Sequence, residues 1–350
     1  MLTKSALVHR FKEKTTSGES NSARRVYCTV VMCSCMIAAQ GVQAAGGCGS
    51  AYMPMNALSP DKSPLQGSQY QIGLTVQYAR FNQFKEGGDG LVNSGGSKAE
   101  ITQSILFMNA AISKKVSASI VFPYLRKKQT NNKFGSRVAE GIGDVSLFGR
   151  YEILSSLLNS GPLVTVGMGI KFPTGTLSEP NSATRLPPAF QVGTGSYDIL
   201  PTASYSQHFK AVDVNANFSA KLPLDENRQG YTFGNEIRVN TTASRSLHTL
   251  VKGMTASLGI SYFYAERDND SASILPVKLR DGKTVLNTGG RFVDVVPGVS
   301  FQLGGGLQLL ASVSIPVYED WNGKRSANVG QVAPEITHLL TLVYNSRFRR

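Results

Sequence analysis

The sequence has few charged residues, and beyond its N-terminal part it lacks a long apolar segment. Charged residues are 17% of the 350-residue chain, and no stretch after residue 45 approaches the ~20 apolar residues that a membrane helix requires. This excludes a protein that spans the membrane with helices beyond residue 45. The chain is instead rich in glycine, with 35 glycines and 41% hydrophobic residues, a profile that suits a β-barrel whose outer surface faces lipid.

Histidine is scarce as well, and the known catalytic motifs are missing. After residue 44 the histidines are His208, His248 and His338. None is followed two positions later by serine, the spacing of the outer-membrane phospholipase, and no HExxH, GxSxG or phosphate-binding loop occurs. Each histidine is interpreted as a packing or interfacial residue. The sequence therefore predicts no enzyme and no cofactor.

The N-terminus is predicted to be a signal peptide. Arg24 and Arg25 precede an apolar run over Val26–Ala39, and a cleavage site follows at Ala44. Residues 1–44 would then form a signal peptide with a long polar N-region, which also fits a misassigned start codon. The arginine pair leaves twin-arginine export open beside the ordinary Sec route.

Cleavage after Ala44 leaves one cysteine, Cys48, so no internal disulfide is possible. Residues 45–69 contain three prolines and no periodicity, and they predict a flexible periplasmic tail. Within this tail Cys48 has three interpretations: lipidation at a poor lipobox, a weak Cu(I) site with Met53 and Met55, or an unengaged thiol. No other metal site is expected.

The positive charge of the mature chain is spread out. Residues 1–44 contain six basic and two acidic residues, so their removal lowers the net charge from +13 to about +9. A nucleic-acid-binding protein would cluster this charge with aromatic residues. Here it lies scattered over loops and turns, which predicts attraction to anionic surfaces and no nucleic-acid partner.

Alternation of apolar and polar residues is the main structural signal. It is clear in the hairpin formed by Val145–Ile153 and Val164–Phe172, which are joined by turn-forming Asn159, Gly161 and Pro162. A period of two places the apolar residues on one face of a strand and the polar residues on the other. Each arm has about 10 residues, enough to cross a bilayer as a tilted strand.

The same pattern recurs along the chain and predicts twelve strands. They are about Tyr70–Phe81, Glu100–Ile112, Val116–Leu125, Val145–Ile153, Val164–Phe172, Tyr197–Phe209, Val212–Leu222, Tyr231–Ser244, Met254–Glu266, Arg291–Leu303, Leu307–Tyr318 and Glu335–Phe348.

Short and long connections alternate between these strands, as they do in a closed outer-membrane barrel. Residues 126–140 are interpreted as one of the long loops. We therefore predict an all-β protein in which residues 70–350 form a single antiparallel barrel in the bacterial outer membrane. Its last strand must pair with its first, because lipid does not tolerate an open edge.

Charged residues at inward positions of this barrel would line its lumen. They are interpreted either as a selectivity lining or as an ion-pair lattice that fills a narrow barrel, and the two are compatible. The candidates are Asp144, Arg150, Glu152, Lys171, Asp213, Lys221, Glu236, Arg238 and Asp294.

The longest loop, residues 173–196, contains four prolines and is long enough to fold inward. Folded inward, it would narrow the pore. Leu186, Ala189 and Phe190 would then provide apolar contacts at the entrance.

Several short motifs between residues 141 and 240 resemble a known family. Their order is GDV followed by GRY, then GP and KFPTG, then GTGSYDILPTASYS and finally YTFGNEI. The chain is similar here to the outer-membrane proteins named for the meta-pathway of phenol degradation. The rest of the chain resembles them only in strand pattern. The resemblance implies an outer-membrane barrel that passes hydrophobic or aromatic compounds, and it provides no catalytic residues.

We therefore expect a passive channel for small, hydrophobic or aromatic solutes. The alternative is a structural barrel with a closed lumen that binds an envelope protein through its tail or its long loops. An enzyme is the remaining possibility.

The predicted orientation can be tested by cysteine labelling in intact cells, in a Cys48→Ala background. Cysteines within residues 84–99, 173–196 or 267–290 should react with a membrane-impermeant maleimide, because these loops are expected outside. Cysteines in the short turns 113–115 and 304–306 should stay unlabelled. Labelling of the short turns alone would invert the model.

Overall fold

The computed structural model describes residues 69–132, 135–154, 161–177 and 187–347. Within them the strands are, in chain order, β1 (Gln69–Glu86), β2 (Asp89–Gly90), β3 (Lys98–Ala111), β4 (Val116–Asn131), β5 (Gly135–Ile142), β6 (Ser146–Leu154), β7 (Leu163–Lys171), β8 (Asp198–Phe209), β9 (Val212–Pro223), β10 (Tyr231–Thr232), β11 (Glu236–Ser246), β12 (Met254–Ala265), β13 (Asn269–Asp270), β14 (Arg280–Asp281), β15 (Thr284–Val285), β16 (Gly290–Gly304), β17 (Leu307–Trp321) and β18 (Gln331–Arg347). Short 3-10 helices cover Pro188–Phe190, Val277–Leu279 and Arg325–Ala327.

Twelve of these strands form a closed antiparallel barrel. Their order is β1, β3, β4, β6, β7, β8, β9, β11, β12, β16, β17 and β18, and each pairs with the next. β18 then pairs with β1 from Gln69 opposite Arg347 to Lys85 opposite Gln331. The predicted fold class, strand number and pairing of the last strand with the first are confirmed.

The outer surface of the barrel is an apolar band. Leu74 lies opposite Leu106 on one neighbouring strand and Leu342 on the other, and all three side chains are exposed. The residues that alternate with them, such as Thr75 and Val343, are buried. The exposed apolar face is the one that contacts lipid, and the barrel is an outer-membrane barrel. No helix among the described residues is long and apolar enough to cross a membrane.

Short turns lie at one end of the barrel and longer connections at the other. The β16–β17 turn is closed by glycines, and Gly305 and Gly306 have φ of 60° and 86°. Positive φ at both central residues is the geometry that a two-residue hairpin turn needs, and glycine adopts it without strain. The tight turn keeps β16 and β17 in register at this end.

Residues 126–140 are not a loop, and this prediction is wrong. They are the end of β4 and most of β5, paired from Tyr124 opposite Ile142 to Asn131 opposite Gly135. Basic residues stand on both faces of this stretch, so residue type does not show the alternation between the faces. Arg126 and Lys128 face outward, whereas Lys127 is buried. β5 continues β6 along the wall, with a break at residues 143–145.

Two of the long connections form a second, small sheet. Its strand order is β10, β13, β15, β14, so the connection after β9 is joined to the connection after β12. Tyr231, Phe233, Leu275 and Val285 form its apolar cluster. The predicted eighth strand therefore began too early, because the first residues assigned to it belong to β10 and the barrel strand starts at Glu236.

Arginine substitutions at neighbouring positions of β9 should distinguish the two faces of the wall. Phe218 faces outward and is exposed, whereas Asn215 faces inward and is half-buried. Phe218→Arg should lower the free energy of unfolding by roughly 2 to 4 kcal/mol, since it places a charge in lipid. Asn215→Arg should have a small effect. The measurement is denaturant unfolding in lipid vesicles, and equal costs would contradict this assignment of faces.

Candidate functional site in the barrel lumen

An apolar cluster fills one side of the lumen. Its buried members come from β3, β4, β6 and β18, and Leu200 of β8 and Leu310 of β17 pack against them. The strands from β17 to β8 follow one another around the wall as β17, β18, β1, β3, β4, β6, β7 and β8, so the cluster lines one continuous side of the lumen. Its buried residues are Ile105, Phe107, Val121, Phe148 and Val343.

Glycines on the wall make room for the two rings of this cluster. The Phe107 ring occupies the space that a Cβ would need at Gly73, and the Phe148 ring does the same at Gly169. Gly73 is in direct register with Phe107, and Gly169 with Phe148. Each ring therefore lies against the backbone of the neighbouring strand.

The opposite side of the lumen is lined by small polar residues that are half-buried. They lie on β9, β11, β12, β16 and β17, namely Asn215, Ser219, Thr242, Ser244, Ser257, Ser300, Ser312 and Ser314. One row differs, because Asn217, Asn240 and Ser261 are buried and lie in register with Asp294. The accessible part of the lumen therefore runs along this wall, which we call the polar wall, and the lining residues are least exposed at that row.

A buried ion-pair cluster lies at the end of the barrel where the long connections begin. Lys171 Nζ is 2.7 Å from Asp198 Oδ2 and 3.2 Å from Asp144 Oδ2, and all three side chains are at most 1% exposed. Losing one partner of such a cluster typically costs 3 to 5 kcal/mol, because the remaining charge stays buried without compensation.

Asp144 also holds both ends of the connection between β7 and β8. Its carboxylate accepts hydrogen bonds from the Gly175 amide at 2.9 Å, from the Thr194 amide at 2.9 Å and from the Thr194 hydroxyl at 2.6 Å. The two ends touch at glycines, since a Cβ at Gly175 would lie 2.6 Å from the Cα of Gly193. One carboxylate therefore joins the ends of the longest connection.

Lys127 fixes the later part of the same connection against the inner wall. Its Nζ donates to the carbonyl oxygens of Gln191 at 2.6 Å and Ala189 at 3.2 Å. Ala189 and Phe190 belong to the short 3-10 helix and are 5% and 2% exposed. Phe190 packs in a cluster with Leu125, Ala139 and Val192. Leu186 lies outside the described residues.

A second charged group joins the barrel rim to the small sheet. Lys221 of β9 pairs with Glu236 of β11 and is attracted to Asp268 in the connection after β12. Asp268 accepts the Tyr231 hydroxyl at 2.6 Å and the Gly234 amide at 2.7 Å. Burial raises the pKa of Asp268 to about 6 despite these hydrogen bonds. Burial and the neighbouring Asp268 also raise the pKa of Tyr231.

Arg238 lies on the polar wall and is stacked on an aromatic ring. Its Cζ lies 4.1 Å from the ring centroid of Phe263, the residue in direct register on β12. Phe263 stacks in turn on Phe292, with centroids 5.8 Å apart. Asp294 on β16 interacts electrostatically with Arg238 and accepts a hydrogen bond from the Ser314 hydroxyl at 2.7 Å.

The other charged candidates also lie on the inner face. Arg150 and Glu152 occupy inward positions of β6, and the Arg150 side chain crosses the space beside Gly167. Asp213 lies at the opposite rim, where its carboxylate is 2.6 Å from His208 Nδ1. The predicted residues therefore lie in separate groups along the wall instead of one site.

The comparison with protein-family models gives a match over residues 82–320, about two thirds of the chain. The matching model is described as Putative MetA-pathway of phenol degradation. The chain belongs to this family. Comparison with curated protein sequences gives no match.

One solved structure shows the same fold at low identity. An outer-membrane channel from Pseudomonas putida F1 has a TM-score of 0.63 at 11% identity, and the alignment covers 82% of this chain and 99% of that chain. The transport unit of the autotransporter AIDA-I from Escherichia coli has a TM-score of 0.43 at 11% identity, covering 84% and 96%. The first of these likenesses supports the fold.

The motifs that indicated the phenol-degradation family lie at the ion-pair cluster. GDV supplies Asp144, KFPTG supplies Lys171 and Gly175, and GTGSYD supplies Thr194 and Asp198. Sequence reasoning identified Asp144 and Lys171 and missed Asp198 and Thr194. The signal was available, because Asp198 stands at the first inward position of a strand that pairs with Lys171.

The histidines make hydrogen bonds and packing contacts with nearby residues, and a metal site is not formed by the described residues. His248 Nδ1 accepts the Gly253 amide in a short turn, and His338 stacks on Tyr78 with centroids 6.4 Å apart. Across residues 69–347 as described, no group of three or more His, Cys, Asp or Glu side chains could hold a metal. The weak candidates Cys48, Met53 and Met55 lie outside the described residues.

The role of Lys127 can be tested against its sequence neighbour. Lys127→Met removes the donor to two buried carbonyl oxygens, at a cost of about 1 to 3 kcal/mol. We expect residues 187–192 to become sensitive to limited proteolysis in the folded barrel, with cleavage sites located by mass spectrometry. Lys128→Met is the matched control, because Lys128 faces outward. Equal protection in both variants would show that Lys127 does not hold the connection.

Proposed function

We propose that the barrel is a passive outer-membrane channel for small hydrophobic or aromatic compounds. The observation that supports this most is the uneven filling of the lumen. Large side chains and the connection held by Lys127 occupy one side, while the polar wall keeps half-buried side chains along most of its length. A barrel that served only as a scaffold would have no need for an accessible wall.

The family supports the solute class. Its description names phenol degradation, and small aromatic compounds are the substrates of such a pathway. The polar wall offers hydroxyl and amide groups, and the lumen cluster and Phe263 offer apolar and aromatic surface. A ring that carries a polar substituent would find partners of both kinds.

In this proposal the charged candidates have two different roles. Arg238 and Asp294 on the polar wall line the path of the solute. Asp144 and Lys171 instead hold the connection after β7, because their side chains are almost completely buried. That connection narrows the mouth, and its own residues Ala189 and Phe190 are buried against the wall.

The alternative is a structural barrel whose lumen is closed and whose tail or loops bind an envelope protein. The apolar cluster in the lumen favours this alternative. Conductance distinguishes the two, since a closed barrel passes no ions. We do not propose an enzyme, because the clusters of charged residues here are paired with one another instead of facing a pocket with a nucleophile.

Shortening the connection after β7 tests the channel. Removal of residues between Glu179 and Gln191 should raise the single-channel conductance in planar bilayers and weaken selectivity between solutes. The reason is that, in this proposal, the connection between β7 and β8 narrows the mouth. Barrel assembly is checked by heat-modifiable migration in gels. A shortened barrel that folds and passes neither ions nor small aromatic compounds would replace the channel with the structural alternative.

A further inference from the structure

The polar wall contains one group whose geometry suits recognition of an aromatic ring. Arg238 projects from β11 between Ser219 of β9 and Phe263 of β12, with which it is in register. Its guanidinium lies over the Phe263 ring at 4.1 Å. One face of the planar guanidinium is therefore supported by an aromatic ring.

This group lies beside the least exposed row of the polar wall. Asn240 follows Arg238 at the next inward position of β11, and it is one of the three buried residues in the row with Asp294. A solute that follows the polar wall therefore passes the Arg238 side chain next to this row.

The rings behind Phe263 make the support rigid. Phe263 stacks on Phe292 at an interplanar angle of 24°, and Phe292 packs on Trp321 with centroids 4.4 Å apart. Phe292 and Trp321 are buried at 8% and 4% exposure. A supported ring cannot turn away easily, so it keeps the guanidinium in place over its face.

A flat guanidinium stacks on aromatic faces by cation–π and π contacts. An aliphatic ring of the same size has no such face and gains only dispersion. We propose that Arg238, held over the face of the Phe263 ring, is the residue that makes the channel prefer aromatic solutes to aliphatic solutes of equal size. The Asp294 carboxylate accepts a hydrogen bond from a donor substituent or repels an anionic one, and so influences which solutes pass. This inference rests on the proposed function.

The test uses the full-length mature barrel in planar bilayers with two anions of similar size, benzoate and cyclohexanecarboxylate. Bi-ionic reversal potentials give their permeability ratio. The wild-type barrel should favour benzoate by about two- to tenfold, the range that one partly desolvated cation–π contact provides. Arg238→Gln should bring this ratio close to one.

Matched variants separate recognition from charge and from folding. Arg126→Gln removes the same charge from the outer wall and should keep the wild-type ratio. Arg238→Lys keeps the charge without the planar group and should give an intermediate ratio, whereas a merely structural arginine would leave the ratio unchanged. Phe263→Leu should lower the ratio while Arg238 is still present, because the guanidinium loses its support.

Each outcome has one meaning. An Arg238→Gln barrel that keeps the wild-type ratio overturns the inference. A wild-type barrel that conducts chloride with a ratio of one overturns the inference and leaves the channel in place. A folded wild-type barrel that conducts no ion overturns the proposed function itself.

Discussion

Pairing of β18 with β1 is the constraint on which the rest of the structure depends. Inside a bilayer no water is available to satisfy an open strand edge, so the sheet must close on itself. Closure gives every strand one lipid face and one inner face, and this explains the exposed Leu74, Leu106 and Leu342 beside buried Thr75 and Val343. Once the wall is closed, the remaining features of the structure are the side chains that fill the lumen and the connections between the strands.

The lumen is filled by two kinds of interaction, and they differ in strength and purpose. The apolar cluster around Phe107 and Phe148 packs against wall glycines and gains from area removed from water. The cluster around Lys171 contains charges that are expensive to bury and therefore tolerates little change. The first supports the wall, and the second holds together the two ends of the connection between β7 and β8.

Much of the wall was predictable because the physical cause is local. Lipid outside and a lumen inside impose a period of two, which is clear in Val212–Leu222 without any tertiary information. The stretch at residues 126–140 was misjudged because its inner and outer faces both carry basic residues, so the alternation between Lys127 and Lys128 is one of burial and not of residue type. The contact from Lys127 to Gln191 joins residues 64 apart, and no short-range pattern reports it.

The same limit applies to the candidate site. Charged residues at inward positions could be assigned from the alternation, and they lie on the inner face. Their division into a buried group around Asp144 and a group on the polar wall around Arg238 could not be assigned, because it depends on which side of the lumen is filled. The stack of Arg238 on Phe263 likewise requires the register of β11 against β12.

The small sheet of β10, β13, β14 and β15 has a consequence for the changes that the long connections tolerate. Because it joins two connections, a substitution in the shared apolar cluster of Tyr231, Phe233, Leu275 and Val285 alters the packing of both connections. Residues at exposed tips outside the sheet, such as Val277 at 80% exposure, do not have this coupling. An inserted epitope would be accommodated at such a tip, whereas the same insertion at Tyr231 would separate the two connections.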